Sequence, residues 1–129
     1  MTRPTRESAS TDDWIGASCL CGAVRFEITR PPKLTVCNCS ACRRLNARWA
    51  YAPPCEAQFL TGEGTTVGYA RGEKSLAFHH CPTCGCVTHW QSLIDENRAF
   101  NMALADDPAA LDGVRVRHFD GADTWAFLD

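Results

Sequence analysis

Nine cysteines in 129 residues leave this chain few ways to fold. They are grouped, not scattered. With Cys55 set aside they form Cys19-Leu-Cys21-Gly, Cys37-Asn-Cys39-Ser-Ala-Cys42, and Cys81-Pro-Thr-Cys84-Gly with Cys86 just beyond. The count is odd, and the opening "MTRPTRESASTDDW" has no apolar core of the kind an export signal needs. A complete disulfide framework is therefore not expected. In a reducing cytosol, cysteines at such spacings bind metal or do chemistry, and a cytoplasmic location is the expectation that follows.

The first and third groups share a detail: glycine directly follows the last cysteine. A zinc knuckle reverses the chain tightly around its metal. Glycine accepts the positive φ this requires, and the freed N–H groups turn toward the thiolates. Pro82 fixes the φ of its turn. Two such knuckles supply four thiolates, so Cys19, Cys21, Cys81 and Cys84 are predicted to form a structural zinc site joining an early hairpin to a late one. Such a site contributes on the order of 10 kcal/mol of binding free energy, which acts as folding energy.

The middle group has three thiols and no second pair to complete it. Three thiolates with an exchangeable fourth position hold a catalytic zinc. Arg43 and Arg44 follow at once, and basic neighbours favour thiolate formation. "SACRRLNARWA" reads as a short helix capped by Ser40, which would place Cys42 near a positive dipole end. Two other readings stay open here: a second closed site using Cys55, Cys86, His79, His80 or His89 as fourth ligand, and a redox cluster. Among the histidines, His80 and His89 lead as ligands because they flank the last knuckle, while His118 has no such neighbour. Trp49, Tyr51, Phe59 and Trp90 are read as core or pocket wall.

Between the cysteines, the pattern is that of short half-buried strands. Val24, Phe26 and Ile28 alternate with Arg25, Glu27 and Thr29, and the same period of two recurs at Leu76–Phe78, at Phe100, Met102 and Leu104, and at Val114 and Val116. Proline pairs and the glycines at 62, 64, 68 and 72 punctuate them. In "DDPAALDG", Asp107 can cap, Pro108 fits the first helical position and Gly113 can close the turn. The expected class is mainly β: a single domain over 14–129, built of short antiparallel strands with one or two short helical turns. Residues 1–13 are polar and read as a disordered lead-in.

Thirteen basic against fifteen acidic residues give a net charge of −2, which disfavours a nucleic-acid surface. Seven zinc-bound thiolates and two Zn²⁺ would lower it by three, to about −5. No apolar run approaches the ~20 residues of a membrane span.

"ASCLCGAVRFEI", "CNCSACRR" and "CPTCG", with the closing "NMALADDPAALDGVRVRHFDGADTWAFLD", resemble the glutathione-dependent formaldehyde-activating family, whose domain is shared with centromere protein V. The resemblance spans roughly Ile15 to Phe127, and its seven-cysteine spacing is far more specific than a single C-x-x-C. It implies a tent-like β fold with two zincs: a structural one on Cys19, Cys21, Cys81 and Cys84, and a catalytic one on Cys37, Cys39 and Cys42. It implies a carbon–sulfur lyase that reversibly joins glutathione and formaldehyde into S-hydroxymethylglutathione. Arg43, Arg44 and Arg48 are expected beside the site, where guanidinium groups suit the two carboxylates of glutathione; of these, Arg43 and Arg44 are the substrate-binding candidates. The chain departs from the family pattern at Asn46, where glycine is common, at His80, where an aromatic residue is, and at Cys86, where a small hydroxyl residue is. These departures bear on the substrate. The competing functions are a non-catalytic zinc scaffold for a protein partner and a thiol redox sensor.

Overall fold

A computed structural model describes residues 14–70 and 75–129; the predicted lead-in and Gly72 lie outside them. Ten strands form two sheets. The first is antiparallel, in the order β1 (Trp14–Ser18), β2 (Arg25–Thr29), β5 (Ala57–Thr61). The second contains β3 (Lys33–Cys37), β4 (Trp49–Tyr51), β6 (Val67–Ala70), β7 (Leu76–His80), β8 (Val87–Ser92), β9 (Arg98–Asn101) and β10 (Arg115–Phe119). Its order is β10-β3-β4-β9-β8-β7-β6. The class is mainly β, as the alternation predicts.

Two features refine that expectation. Every pairing is antiparallel except β3 with β10, which run parallel from Lys33 opposite Arg115 to Cys37 opposite Phe119. The last strand returns to the sheet edge beside β3 and so carries the chain end up to the Cys37 group. The alternation at Phe100, Met102 and Leu104 also does not continue as a strand. After β9 the chain tightens into a 3₁₀ turn, Met102–Leu104. The buried Asn101 causes this: its Oδ1 accepts from Ala103 N at 3.1 Å and from Arg48 N at 3.2 Å, which rewards a turn over further pairing.

The core lies between the sheets. Phe26 and Ile28 of β2 and Phe100 of β9 are fully buried, and Phe26 meets Phe100 at 4.9 Å between ring centroids. Phe59 closes the triangle, 5.6 Å from Phe100. Glu27, predicted to face away, is buried as well, on the opposite side of the central strand, where its Oε1 accepts from Gln58 Nε2 at 2.8 Å. The "DDPAALDG" turn forms as predicted: a 3₁₀ turn over Pro108–Leu111, Asp107 accepting from Ala109 N, and Gly113 at φ 84°. No helix among the described residues is long and apolar enough to cross a membrane.

Candidate metal centres and the cleft beside them

The loop after β1 carries Cys19 and Cys21, and the loop after β7 carries Cys81 and Cys84. Their sulfurs lie within 4.8 Å of one another. Since β1 belongs to the first sheet and β7 to the second, the group joins the two sheets at one end, as the knuckle reading requires. Both closing glycines adopt the left-handed backbone predicted for them, with φ 81° at Gly22 and at Gly85. The turns then aim N–H groups at sulfur: Val24 N reaches Cys19 Sγ at 3.3 Å, and Thr83 N reaches Cys81 Sγ at 3.4 Å. The N–H groups of Cys86 and Cys21 hold the Cys84 thiol down to about 5. Four converging soft donors, two of them (Cys81 and Cys84) held toward thiolate by backbone N–H groups, fit a tetrahedral zinc.

The second group sits at the end of β3. Cys37, Cys39 and Cys42 place their sulfurs within 4.8 Å of one another. Cys39 and Cys42 are brought round by a one-and-a-half-turn helix, α1 (Ser40–Leu45). Its cap is not the predicted Ser40 but Cys39, whose Sγ accepts from Cys42 N at 3.3 Å. The same sulfur thus caps the helix and faces the other two thiols. Burial alone would raise Cys39, but this N–H and the neighbouring thiols hold it below the ordinary thiol value. Burial pushes Cys42 up, and the Trp49 indole N–H opposes that shift. Trp49 is itself buried, and its Nε1 has no hydrogen-bond partner among the described residues.

The helix ends at Asn46, one of two non-glycine residues at positive φ among those described, with φ 51° and ψ 41°. Its N–H bonds Cys42 O at 2.8 Å. The backbone there is left-handed, which explains why glycine suits the position and why asparagine, the best of the alternatives, keeps the same shape. The predicted helix through Ala50 stops here, because β4 begins at Trp49.

No fourth His, Cys, Asp or Glu among the described residues joins the second group. Cys55 is exposed in a separate turn, Pro54–Glu56. Cys86 packs beside the first group. His79 and His89 stack at 4.6 Å and are held by Thr66 and Thr88. His118 pairs with Asp129 at 2.8 Å. None of the four histidines serves either group.

An open cleft of about 430 Å³ lies against the second group, lined by Cys39, Ser40, Ala41, Phe78 and Gly121 among others. Arg44 does not line this cleft; it folds back to donate to Ser40 O at 2.7 Å and lines the neighbouring trough of about 590 Å³. Arg43 is exposed and lines neither this cleft nor the trough that continues from it. Arg48, expected nearby, instead lines a separate cleft with Leu34, Met102 and Val116.

The residues that reasoning from sequence missed close over the site from the chain end. Asn38, between two of the cysteines, donates from Nδ2 to Asp120 Oδ1 at 3.0 Å and accepts from Ala122 N at 3.0 Å. Asn38, then Thr124, hold the Asp120 carboxyl below its usual range. This clamp presses Gly121 onto the cysteines: a Cβ there would lie 2.6 Å from Cys37 Sγ. Trp125, at φ 58°, stands over Phe119 at 5.1 Å. The Asp-Gly turn signal before Trp125 was the available clue.

Against known proteins, a family model described as glutathione-dependent formaldehyde-activating enzyme matches residues 14–117. Among solved structures, the crystal structure of a Rhodobacter sphaeroides protein aligns with a TM-score of 0.65 at 29% identity, over 79% of this chain and 99% of that one.

Proposed function

The chain belongs to the glutathione-dependent formaldehyde-activating enzyme family, and on that footing we propose that it is a zinc-dependent carbon–sulfur lyase acting on a thiol–aldehyde adduct, with glutathione and formaldehyde as the family's pair. Zinc on Cys19, Cys21, Cys81 and Cys84 is structural, and zinc on Cys37, Cys39 and Cys42 is catalytic. The observation that carries this reading is three converging thiols, with no fourth protein ligand among the described residues, beside an open cleft.

When bound there, zinc supplies positive charge that favours a thiolate over a thiol. The protein's own groups do the rest. Cys37, Cys39 and Cys42 would hold the metal, with the Cys42 N–H fixing the Cys39 sulfur. Arg44, beside Ser40 in the adjoining trough, pairs with a carboxylate of glutathione and orients its sulfur toward the cysteines. Ala41 and Phe78 give the cleft apolar wall beside the cysteines. In the forward direction a C–S bond forms between the sulfur and the aldehyde carbon, and the thiol proton ends on the former carbonyl oxygen. Cleavage is the reverse.

The test is metal content and turnover together. Wild-type protein should carry two zincs, and Cys39→Ser one, with an unchanged circular dichroism spectrum and no acceleration of adduct formation. Turnover by Cys39→Ser at the wild-type rate would sink the proposal. Rapid oxidation of the middle thiols with release of about one zinc, and no turnover, would mark a redox sensor instead.

A further inference from the structure

We infer that the adduct this site takes carries an apolar, ring-sized substituent on its aldehyde-derived carbon, where a formaldehyde adduct carries only hydrogen. The inference rests on the proposed thiol–aldehyde chemistry and names its substrate class.

The cleft beside Cys39 does not end at the cysteines. Ser40, Ala41 and Phe78 also line a second trough of about 590 Å³, so the two run together between α1 and the β6–β7 hairpin. Its walls are chiefly carbon: Leu45 from α1, Val67 and Tyr69 from β6, Phe78 from β7 and Val87 from β8. Val67 and Tyr69 are 45% and 62% exposed, on the edge strand of the large sheet, although both are large apolar residues. A ring laid in the trough would cover them.

The trough's polar groups are few. Arg44 is one of them, and its guanidinium is tied to the carbonyl of Ser40, a residue that lines both trough and cleft. His79 is committed through Nδ1 to Thr66 Oγ1 at 2.8 Å, and His80 and the hydroxyls of Ser40 and Tyr69 are the other polar groups of the wall. The tripeptide part of glutathione, with its amides and two carboxylates, would lose more hydration against these chiefly carbon walls than their few polar groups replace. It belongs along the open first cleft, with a carboxylate reaching Arg44 past Ser40. What enters the trough is the other half of the adduct. An apolar cavity of about 150 Å³ accommodates benzene, so the trough holds such a group with room to spare. A hydroxymethyl group would leave it wet.

Two inert thioethers separate the cases: S-(2-phenylethyl)glutathione and S-methylglutathione, titrated calorimetrically into the zinc-loaded protein with valine methyl resonances followed in parallel. The phenylethyl compound should bind about tenfold tighter or more, the return on covering some 60 Å² of apolar surface, and should shift the methyls of Val67 and Val87. Val67→Glu, at an exposed position, should bring the two affinities together. Leu93→Glu, the same charge on an exposed apolar residue of the β8–β9 turn, should keep the preference. Equal affinities in the wild type, a preference that survives Val67→Glu, or its loss in Leu93→Glu would overturn the inference. If neither thioether binds, the glutathione assignment fails, and 2-phenylethanethiol against 2-mercaptoethanol decides the trough by itself. A tenfold preference for the former, lost in Val67→Glu, upholds it, and equal binding overturns it.

Discussion

Replacing Gly121 by alanine adds one methyl group where the loop after β10 meets the second cysteine group. That carbon would sit 2.6 Å from Cys37 Sγ, 3.2 Å from Cys39 Cβ and 3.4 Å from Trp125 Cζ3. The first contact is roughly an ångström short of ordinary packing distance. The backbone of Gly121 is not left-handed, so the effect is purely steric. Either the loop lifts, against the Asn38 clamp, or Cys37 rotates away from its two partners. Overpacking of this kind costs about 1–3 kcal/mol. Taken wholly as lost affinity at the second centre, that is about 5- to 150-fold. The first centre, at the junction of the two sheets, should be untouched. Competition against a chromophoric chelator reads the two zincs separately: one should be released at about 5- to 150-fold lower chelator strength, with the other unchanged. Thermal melts in chelator, where the second centre is empty, should differ less between variant and wild type than melts of the zinc-loaded proteins. Two zincs held at wild-type affinity, with an unaltered melt, would refute the idea that this glycine is fitted to the cysteines.

The first centre should behave as a folding element. Cys81 is fully buried in it, so Cys81→Ser should forfeit on the order of 10 kcal/mol of zinc-linked stability, a loss comparable with a domain's whole stability; a cooperative melt with one zinc retained would contradict this. Asn38→Ala removes both hydrogen bonds that pin the 120–124 loop and should cost about 1–3 kcal/mol. Amide exchange should accelerate in that loop and stay unchanged around the first centre, and uniform protection would count against the clamp. Burial, then the charges of His79 and Arg98, hold the buried His89 down to about 3. A depressed histidine stabilises the fold above its unfolded value of about 6.5 and loses that contribution as pH falls toward 3, about 5 kcal/mol in all. Its imidazole resonances should therefore stay flat from pH 8 to pH 5 in the zinc-loaded protein, and a midpoint near 6.5 would overturn the assignment.

What could be read from the sequence, and what could not, divides along a physical line. The two knuckles were legible because a metal imposes spacing and a positive φ on its neighbours, and both demands are written into adjacent residues: Cys21-Gly22 and Cys84-Gly85. Asp107, Pro108 and Gly113 were legible for the same reason, each satisfying a local backbone need. Several of the failures involve a side chain with a task the local pattern does not show. Cys39 was read only as a ligand, yet it also caps α1, so Ser40 was given a role the thiol performs. Asn101 sat at the end of an apolar alternation, and its side chain turned the chain where the pattern called for more strand. Asn38 carried no legible role because its partners, Asp120 and Ala122, lie more than eighty residues on. The parallel pairing of β3 with β10 belongs to the same class, since only that long return brings the closing loop to Cys37. Asn46 shows how such a residue can be recovered. Its departure from glycine looked like a change bearing on substrate, but its φ of 51° makes it a conservative answer to a backbone demand. That removes one reason to suspect an altered reaction at the cysteines. Any difference in substrate is left to the walls of the trough, where Val67 and Tyr69 meet solvent.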